Sequence, residues 1–211
     1  MPRVSKAEAE RNRAVIEQVS SRLFREQGFH GISVADLMGA AGLTHGGFYG
    51  HFESKDALAA IACTRAFEEA EARWRKRVDD APDNAAALTA LIDNYLSARN
   101  RNNAGAGCPV PALANDVARE PADKPVREAF RDGLETLVDI LATVQPSAGE
   151  SVGKSVGTST GISAAQRSTA LAQMATLAGA LVLSRATQGT ALSNEFLAAA
   201  RGFLLEQAEA A

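Results

Sequence analysis

The sequence predicts an all-α protein, and two observations support this class. Apolar residues recur at helical spacing in successive segments, as Ile16, Val19 and Leu23 do in the first of them. Residues that typically end or begin helices, such as Gly28 and Ser33, lie between these segments. No segment shows the alternating pattern of a β-strand that would compete with this interpretation.

Three short helices are predicted in the first 52 residues. The first covers about residues 7–27 and is followed by Gly28, at a position where a left-handed backbone is expected. The second begins at Ser33, whose hydroxyl can accept a hydrogen bond from the amide three residues on. Gly42 ends this helix, and Thr44 is expected to cap the third.

The remaining helices are separated by polar or proline-containing breaks. Ser54 is expected to cap a fourth helix that reaches about residue 78, and a break at residues 81–83 precedes the fifth. The polar run at residues 99–107 has the composition of a loop. Further helices are predicted at residues 111–119, 125–144, 164–188 and 193–209, and the Ser-, Gly- and Thr-rich residues 146–163 are predicted to form a flexible insertion.

The composition is that of an ordinary globular protein. Hydrophobic residues make up 46% of the chain and charged residues 22%. No run approaches the roughly 18 apolar residues that span a bilayer, and the N-terminus lacks the apolar core of a signal peptide. We therefore expect a cytoplasmic protein without a membrane partner. The net charge of −3 belongs to residues 58–211, because residues 1–57 carry seven basic and seven acidic side chains.

Neither the cysteines nor the acidic residues indicate a catalytic or metal site. Cys63 and Cys108 lie 45 positions apart without CxxC or Cys/His spacing, which argues against a zinc site and a disulfide framework. Asp116 and Glu120 are interpreted as an ordinary solvated pair four residues apart. We found no nucleophile–base pair or phosphate-binding loop, so we expect no catalytic residue, no metal and no cofactor.

Residues 29–52 carry the strongest functional pattern, because they combine two helix starts with a glycine-bearing turn. The second of these helices begins with two polar side chains, Thr44 and His45, followed by Gly46 and Gly47. A thin, polar leading end suits entry into the major groove of DNA. The two glycines weaken an isolated helix by about 1–2 kcal/mol relative to alanine, which is reasonable if another backbone must come close.

The aromatic residues of the same helix have two predicted roles. Phe48 and Phe52 are expected to anchor the helix in the core. Tyr49 and His51 then fall on other faces, where they can bond phosphates or base edges. Two helices joined by a tight turn also occur in proteins that do not bind DNA. The prediction therefore rests on the combination of the turn, the bare polar helix start and the aromatic residues.

A dense set of residues between positions 13 and 62 resembles the N-terminal signature of TetR-family transcriptional regulators. The resemblance implies a three-helix helix-turn-helix DNA-binding head at residues 8–62. It also implies a fourth, connecting helix and a helical ligand-binding and dimerisation body at residues 63–211. The residues that carry it are Phe24, Gly28-Phe29, Ser33-Val34, Ala41-Gly42-Leu43, Phe48-Tyr49, His51-Phe52, Lys55 and Leu58.

Position by position, the resemblance assigns the DNA-binding side chains. It places residues 44–47 at the groove-facing start of the third helix and Lys55 on a phosphate. Many relatives carry a larger residue at one of positions 45–47, so recognition would depend on few side chains. The candidate DNA-binding residues are Ser33, Thr44, His45, Gly46, Gly47, Tyr49, His51 and Lys55.

Four basic residues precede this region and form a candidate arm. Arg3, Lys6, Arg11 and Arg13 can reach a minor groove or lie along the phosphate backbone. For Arg3 and Lys6, a solvated tail is an equally good interpretation.

Residues 63–211 are expected to hold the effector and the dimer interface. The Gly-Cys segment at residues 107–114 resembles a helix start that borders the ligand cavity in one branch of the family. The last two helices carry long apolar faces, which indicate a homodimer with two readers on a palindromic operator. The candidate ligand-binding residues, each of which is also a good core residue, are Phe67, Trp74, Tyr95, Cys108, Leu113, Phe130 and Leu134.

The sequence thus predicts a transcriptional regulator that binds double-stranded operator DNA, most simply a repressor released by a small-molecule inducer. One alternative keeps the fold but senses oxidants or electrophiles through Cys108, because a helix N-terminus favours the thiolate. A plain buried residue is the other interpretation of this cysteine. A different class, a helical enzyme or adaptor without DNA binding, is the remaining alternative.

Overall fold

The computed structural model describes residues 5–145 and 161–209, and the described chain is helical without strands. This confirms the all-α prediction. Residues 146–160, which hold most of the predicted insertion, lie outside the described residues. The elements are α1 (Lys6–Gln27), α2 (Val34–Ala40), a 3₁₀ helix (His45–Gly50), α3 (Lys55–Asp79), α4 (Asn84–Tyr95), α5 (Ala98–Asn102), a second 3₁₀ helix (Ala104–Ala106), α6 (Pro109–Arg119), α7 (Pro125–Thr143), α8 (Ala164–Ala186) and α9 (Ala191–Glu209).

The chain forms two compact units, each built from two chain segments. The first unit contains Met1–Glu69 and Ala104–Gly133, and the second contains Ala70–Asn103 and Leu134–Ala211. The functional boundary expected near residue 62 remains a prediction, because compactness and function need not divide a chain at the same place. None of the described helices is long and apolar enough to cross a membrane.

The core of the first unit is formed by apolar faces of α1, α2 and α3 around two phenylalanines. Gly28 follows α1 with φ 75° and ψ 169°, so the expected positive φ is confirmed while ψ is extended. Gly42 follows α2 with φ 72°, as the turn requires. The buried side chains include Ile16, Leu23, Phe24, Leu37, Met38, Phe48, Phe52, Leu58 and Phe67.

The second unit packs α4, α8 and α9 together with the C-terminal part of α7. α8 begins at Ser163, whose hydroxyl accepts from the Gln166 amide in a capping box. Gln145 and Gln173 are buried and exchange hydrogen bonds of 2.8 and 3.1 Å. The core residues include Leu88, Leu91, Ile92, Leu137, Leu141, Met174, Leu177, Leu181, Leu197 and Leu204.

The structure corrects two predicted elements. Residues 99–107 are not a loop, because α5 and the Ala104–Ala106 helix occupy most of this segment. Ser97 caps α5 by accepting from the Asn100 amide at 3.1 Å, and a five-residue helix is too short to show an apolar period. The third helix, His45–Gly50, is 3₁₀ rather than α, and the Thr44 side chain makes no capping bond.

Candidate nucleic-acid interface

The element that leads into the candidate interface is α2, which is fixed at its start by a capping box. The Ser33 hydroxyl lies 2.5 Å from Asp36 Oδ2 and accepts from the Asp36 amide at 3.2 Å, while the Ser33 amide donates to Asp36 Oδ2 at 3.1 Å. The side-chain and backbone hydrogen bonds from Ser33 lower the pKa of Asp36. Ser33 is exposed, but its hydroxyl is already engaged.

The His45–Gly50 helix is anchored by the two phenylalanines predicted to be core residues, and this prediction is confirmed. Phe48 is fully buried and Phe52 nearly so, with ring centroids 5.7 Å apart. Tyr49 packs edge-on against Phe48 at 5.2 Å, yet 70% of Tyr49 is exposed. Burial of two rings therefore presents a third aromatic ring to the outside.

The leading end of this helix is bare, as the sequence indicates. Thr44, His45, Gly46 and Gly47 are all exposed. A Cβ built on Gly46 would meet no heavy atom within 4 Å, and one on Gly47 would approach only the ends of side chains, Met38 Cε at 3.6 Å and Thr44 Oγ1 at 3.9 Å. The packing of the protomer itself therefore leaves room for larger residues at both positions.

The C-terminal end of the helix is held by α1. Arg13 Nη1 donates to the His51 carbonyl at 2.6 Å, and the Arg13 guanidinium lies 4.6 Å from the centre of the Phe52 ring. Arg13 Nε donates to Glu17 Oε1 at 2.9 Å. His51 itself is half-buried. The sequence did not show this contact, because 38 positions separate its partners.

Of the other basic candidates, Lys55 is the most strongly engaged. Its Nζ donates to the Ile32 carbonyl at 2.5 Å, and the side chain is half-buried at the start of α3. Its role as a phosphate contact stays a prediction. Lys6 and Arg11 lie exposed on α1, whereas Arg3 is outside the described residues.

Three side chains near the end of α6 and the start of α7 tie these helices to Phe29, His30 and the start of α3, and we call them the α6–α7 clamp. Asp116 Oδ2 accepts from the Phe29 amide at 2.8 Å. Glu120 Oε1 lies 2.8 Å from His30 Nε2, and Lys124 Nζ pairs with Asp56. The solvated interpretation of Asp116 and Glu120 is wrong, since the Glu120 side chain is only 11% exposed.

Glu120 and Lys124 of the clamp line a small cavity together with their partners His30 and Asp56. The cavity has a volume of about 40 Å³, room for a few water molecules. The hydrogen bond to Asp56 and its charge raise the pKa of Lys124. The lining residues are Phe29, His30, Lys55, Asp56, Ala59, Glu120, Lys124, Pro125 and Val126.

A buried arginine joins α1 to the segment before α6. The side chain of Arg25 is 2% exposed and donates to the Gly107 carbonyl at 2.9 Å and to Glu69 Oε2 at 3.0 Å. Nearby, a Cβ on Gly105 would lie 2.2 Å from Glu26 Oε1. Sequence analysis missed this network; the only local signal is an arginine next to buried Phe24 on an apolar helix face.

The candidate ligand-binding residues fall in both compact units. In the first unit Phe67 and Phe130 pack edge-on at 5.3 Å, and in the second Trp74 and Tyr95 do so at 6.0 Å. These contacts are those of core residues. Cys108, Leu113 and Phe130 belong to the first unit with Phe67, and Leu134 belongs to the second with Trp74 and Tyr95.

Cys63 and Cys108 are both buried. Cys108 is 5% exposed and occupies the N-cap position of α6. Burial raises the pKa of Cys63 to about 12, against a weaker lowering by Arg25. The described residues contain no group of three or more side chains suited to hold a metal ion.

The apolar faces predicted for the last two helices are only partly used within the second unit. Met174, Leu177 and Leu181 are buried in its core. Other large apolar side chains on α8 and α9 are about half exposed: Leu171, Val182, Leu183, Leu192 and Phe203.

Comparison with known proteins supports the resemblance of the N-terminal region to TetR-family regulators. Residues 17–61 match the family model described as bacterial regulatory proteins, tetR family. Over 108 residues the chain is 25% identical to the HTH-type transcriptional repressor KstR2 of Rhodococcus jostii. The aligned residues are 51% of this chain and 53% of that protein. Over 88 residues it is 30% identical to the repressor DhaR of Mycobacterium sp., covering 42% and 43%.

The sequence matches are local, whereas the structural likeness extends over nearly the whole chain. The chain spans about half the length of the curated relatives that it matches. A TetR-family regulator from Cytophaga hutchinsonii superposes with a TM-score of 0.74, at 20% identity and 98% coverage of both chains. The family model thus matches the region that contains the His45–Gly50 helix, while the helical fold is shared over 98% of the chain.

Proposed function

We propose that this chain, whose residues 17–61 match the family model of tetR-family bacterial regulatory proteins, represses transcription by binding a palindromic operator as a homodimer. The proposal rests on one observation. The exposed surface at Thr44, His45, Gly46 and Tyr49 is presented on a buried aromatic anchor, and its glycines are not required by internal packing. A bare, polar surface of this kind suits the major groove.

The proposed readers are the exposed polar side chains at the leading end of the His45–Gly50 helix. Thr44 and His45 are assigned to base edges, Tyr49 and His51 to phosphates or base edges, and Ser33 and Lys55 to phosphates. The engaged hydroxyl of Ser33 and ammonium of Lys55 make these two the weaker candidates. Two related proteins that are named repressors support repression rather than activation.

Release by a small-molecule effector is the proposed mode of control. The segment from Ala104 to Gly133 belongs to the same compact unit as the reader. Arg25 and the α6–α7 clamp tie it to α1, to Phe29 and His30, and to the start of α3, which flank the reader in the chain. An effector that shifts α6 would therefore shift the reader, and about 1–3 kcal/mol of coupling is enough to change operator occupancy strongly.

The homodimer is proposed to form through α8 and α9. Leu171, Val182 and Phe203 expose apolar surface that a second copy would cover. A regulator that binds chromosomal DNA acts in the cytoplasm, which is the location we propose. The thiol-sensing alternative is less well supported, because burial of Cys108 limits access to an oxidant.

The proposal is tested by selection from a random duplex library with the full-length protein. We expect a palindromic consensus, bound with an affinity that falls steeply with salt. The matched variants are His45→Ala, which should relax specificity at one base position, and Lys76→Ala, an exposed lysine of α3 outside the reader, which should not. Failure to enrich any sequence at low salt would contradict the proposal.

A further inference from the structure

We propose that Arg13 is a positioning residue that holds the His45–Gly50 helix in its DNA-reading geometry by capping the carbonyl of His51. This inference rests on the function proposed above, and it assigns to Arg13 an indirect role instead of the phosphate or minor-groove contact expected from the sequence.

The His45–Gly50 helix has little intrinsic stability of its own. Three of its six residues, Gly46, Gly47 and Gly50, are glycines, and each weakens a helix by about 1 kcal/mol relative to alanine. At the N-terminal end, the Thr44 side chain makes no capping bond. The geometry of this helix must therefore come from contacts with the rest of the first unit.

Arg13 supplies such a contact at the C-terminal end. The carbonyl groups at the end of a helix have no partner within the helix and carry partial negative charge. Arg13 Nη1 donates to the His51 carbonyl at 2.6 Å, a charge-assisted hydrogen bond. The planar guanidinium also lies over Phe52, 4.6 Å from the ring centre. A single side chain therefore contacts both the His51 carbonyl and the buried Phe52 ring.

The same geometry argues against a phosphate contact as the main role of Arg13. Its Nε is paired with Glu17 at 2.9 Å, and the Glu17 side chain is 19% exposed. A guanidinium that is neutralised by a carboxylate attracts phosphate less strongly. Arg13 and Arg11, two residues earlier on α1, are both exposed, so it is the pairing with Glu17, and not burial, that makes Arg13 the less available of the two.

The test compares Arg13→Met and Arg13→Lys with the control Arg11→Met, all in the full-length protein. Affinity is measured over a salt series for the duplex selected by the wild type and for a scrambled duplex of equal length. Hydrogen exchange of the peptide covering residues 45–52 is measured without DNA. Arg13→Lys retains the charge and the long stem but not the planar fork, so it separates charge from geometry if Arg13→Met folds poorly.

A positioning role predicts a loss of specificity without a loss of salt dependence. Arg13→Met should bind the selected duplex about tenfold more weakly, as expected for one charge-assisted hydrogen bond, and the scrambled duplex almost as well as the wild type does. Arg13→Lys should shift both values in the same direction. Both variants should accelerate exchange at residues 45–52, and Arg11→Met should not.

A phosphate contact predicts the opposite pattern. Arg13→Met would then weaken both duplexes equally and lower the salt slope by about one unit per protomer, Arg13→Lys would behave as wild type, and exchange at residues 45–52 would be unchanged. Any of these results overturns the proposal. If the wild type binds no duplex, the proposed function fails, while the exchange measurement still decides whether Arg13 positions this helix.

Discussion

Glycine is needed for different reasons in two regions of the first compact unit. Where α1 meets the segment containing α6, the backbone favours glycine at Gly28, which has φ 75°, and a Cβ there would lie 2.5 Å from Asp116 Oδ2. A Cβ on Gly105 would lie 2.2 Å from Glu26 Oε1, which is the end of an exposed side chain and can move. In the His45–Gly50 helix, a Cβ on Gly46 would meet nothing within 4 Å. The second region contains glycine that the protomer alone does not explain.

This difference separates structural from functional use of the same residue type. Gly28 adopts a positive φ that other residues rarely adopt, so its replacement should reduce stability. Gly46 lowers the stability of the helix, and no neighbouring atom of the protomer requires glycine at this position. Gly39 lies in equally open space, so the inference rests on the position of Gly46 at the exposed leading end of the His45–Gly50 helix, where we propose that DNA approaches.

Gly28→Ala should give the largest loss of stability. The residue has φ 75°, and its new methyl group would displace the Asp116 carboxylate that accepts from the Phe29 amide. We expect the free energy of unfolding to fall by about 2–3 kcal/mol, measured by urea denaturation. Gly39→Ala in α2 is the control, because a Cβ there meets nothing within 4 Å. Equal midpoints for the two variants would remove the structural half of the comparison.

Gly46→Ala should have the reverse signature. Stability should stay unchanged or rise by about 0.5–1 kcal/mol, because alanine restricts the unfolded chain and meets no clash. Affinity for the selected duplex should fall about tenfold, or about 1.4 kcal/mol, since the methyl group enters the space proposed for DNA. Calorimetry and fluorescence anisotropy measure the two effects. Undiminished affinity would show that the bare surface has no role in binding.

Asp116→Ala should have a smaller effect on stability than Gly28→Ala. It removes the acceptor of the Phe29 amide without adding a clash or a strained φ. We expect a loss of about 1–2 kcal/mol in the free energy of unfolding, again by urea denaturation. Glu128→Ala, an exposed residue in the first turn of α7, is the matched control and should change little. Similar values for both would mean that the clamp does not hold α6 to the corner at Phe29.

The smallest expected effect is the pH dependence contributed by Asp36. Hydrogen bonds from Ser33 lower its pKa in the folded state. Its stabilisation is therefore complete above the unfolded pKa of about 4 and is lost as the pH falls through the lower folded value. Asp36→Asn should remove this acid-side decrease, seen as a flatter plot of melting temperature against pH. An unchanged plot would show that the capping box does not contribute through ionisation.

The features that sequence predicts well here are local ones. Ser33 and Ser54 signal helix starts, Gly42 signals a turn, and Phe48 and Phe52 signal buried anchors through their spacing. Each depends on residues within one or two turns of helix. The 3₁₀ geometry at residues 45–50 escaped prediction, because glycine content indicates a weak helix but not which hydrogen-bond pattern it adopts.

The features that sequence does not predict are contacts between distant segments. Arg13 reaches across 38 positions to His51, and Arg25 reaches across 82 positions to Gly107. Neither partner is identifiable from the residue type, since the acceptor in both cases is a backbone carbonyl. The solvated interpretation of Asp116 failed for the same reason, because its partner is the amide of Phe29.

The most direct test of the central claim is hydrogen exchange of the full-length protein with and without the selected duplex. We predict strong protection at residues 44–52 when DNA is bound, with weaker protection near Ser33 and Lys55. Peptides from α4 in the second unit should exchange at the same rate in both states. Protection confined to segments other than residues 44–52 would contradict the assignment of the reader, and with it the account given for the glycines of the His45–Gly50 helix.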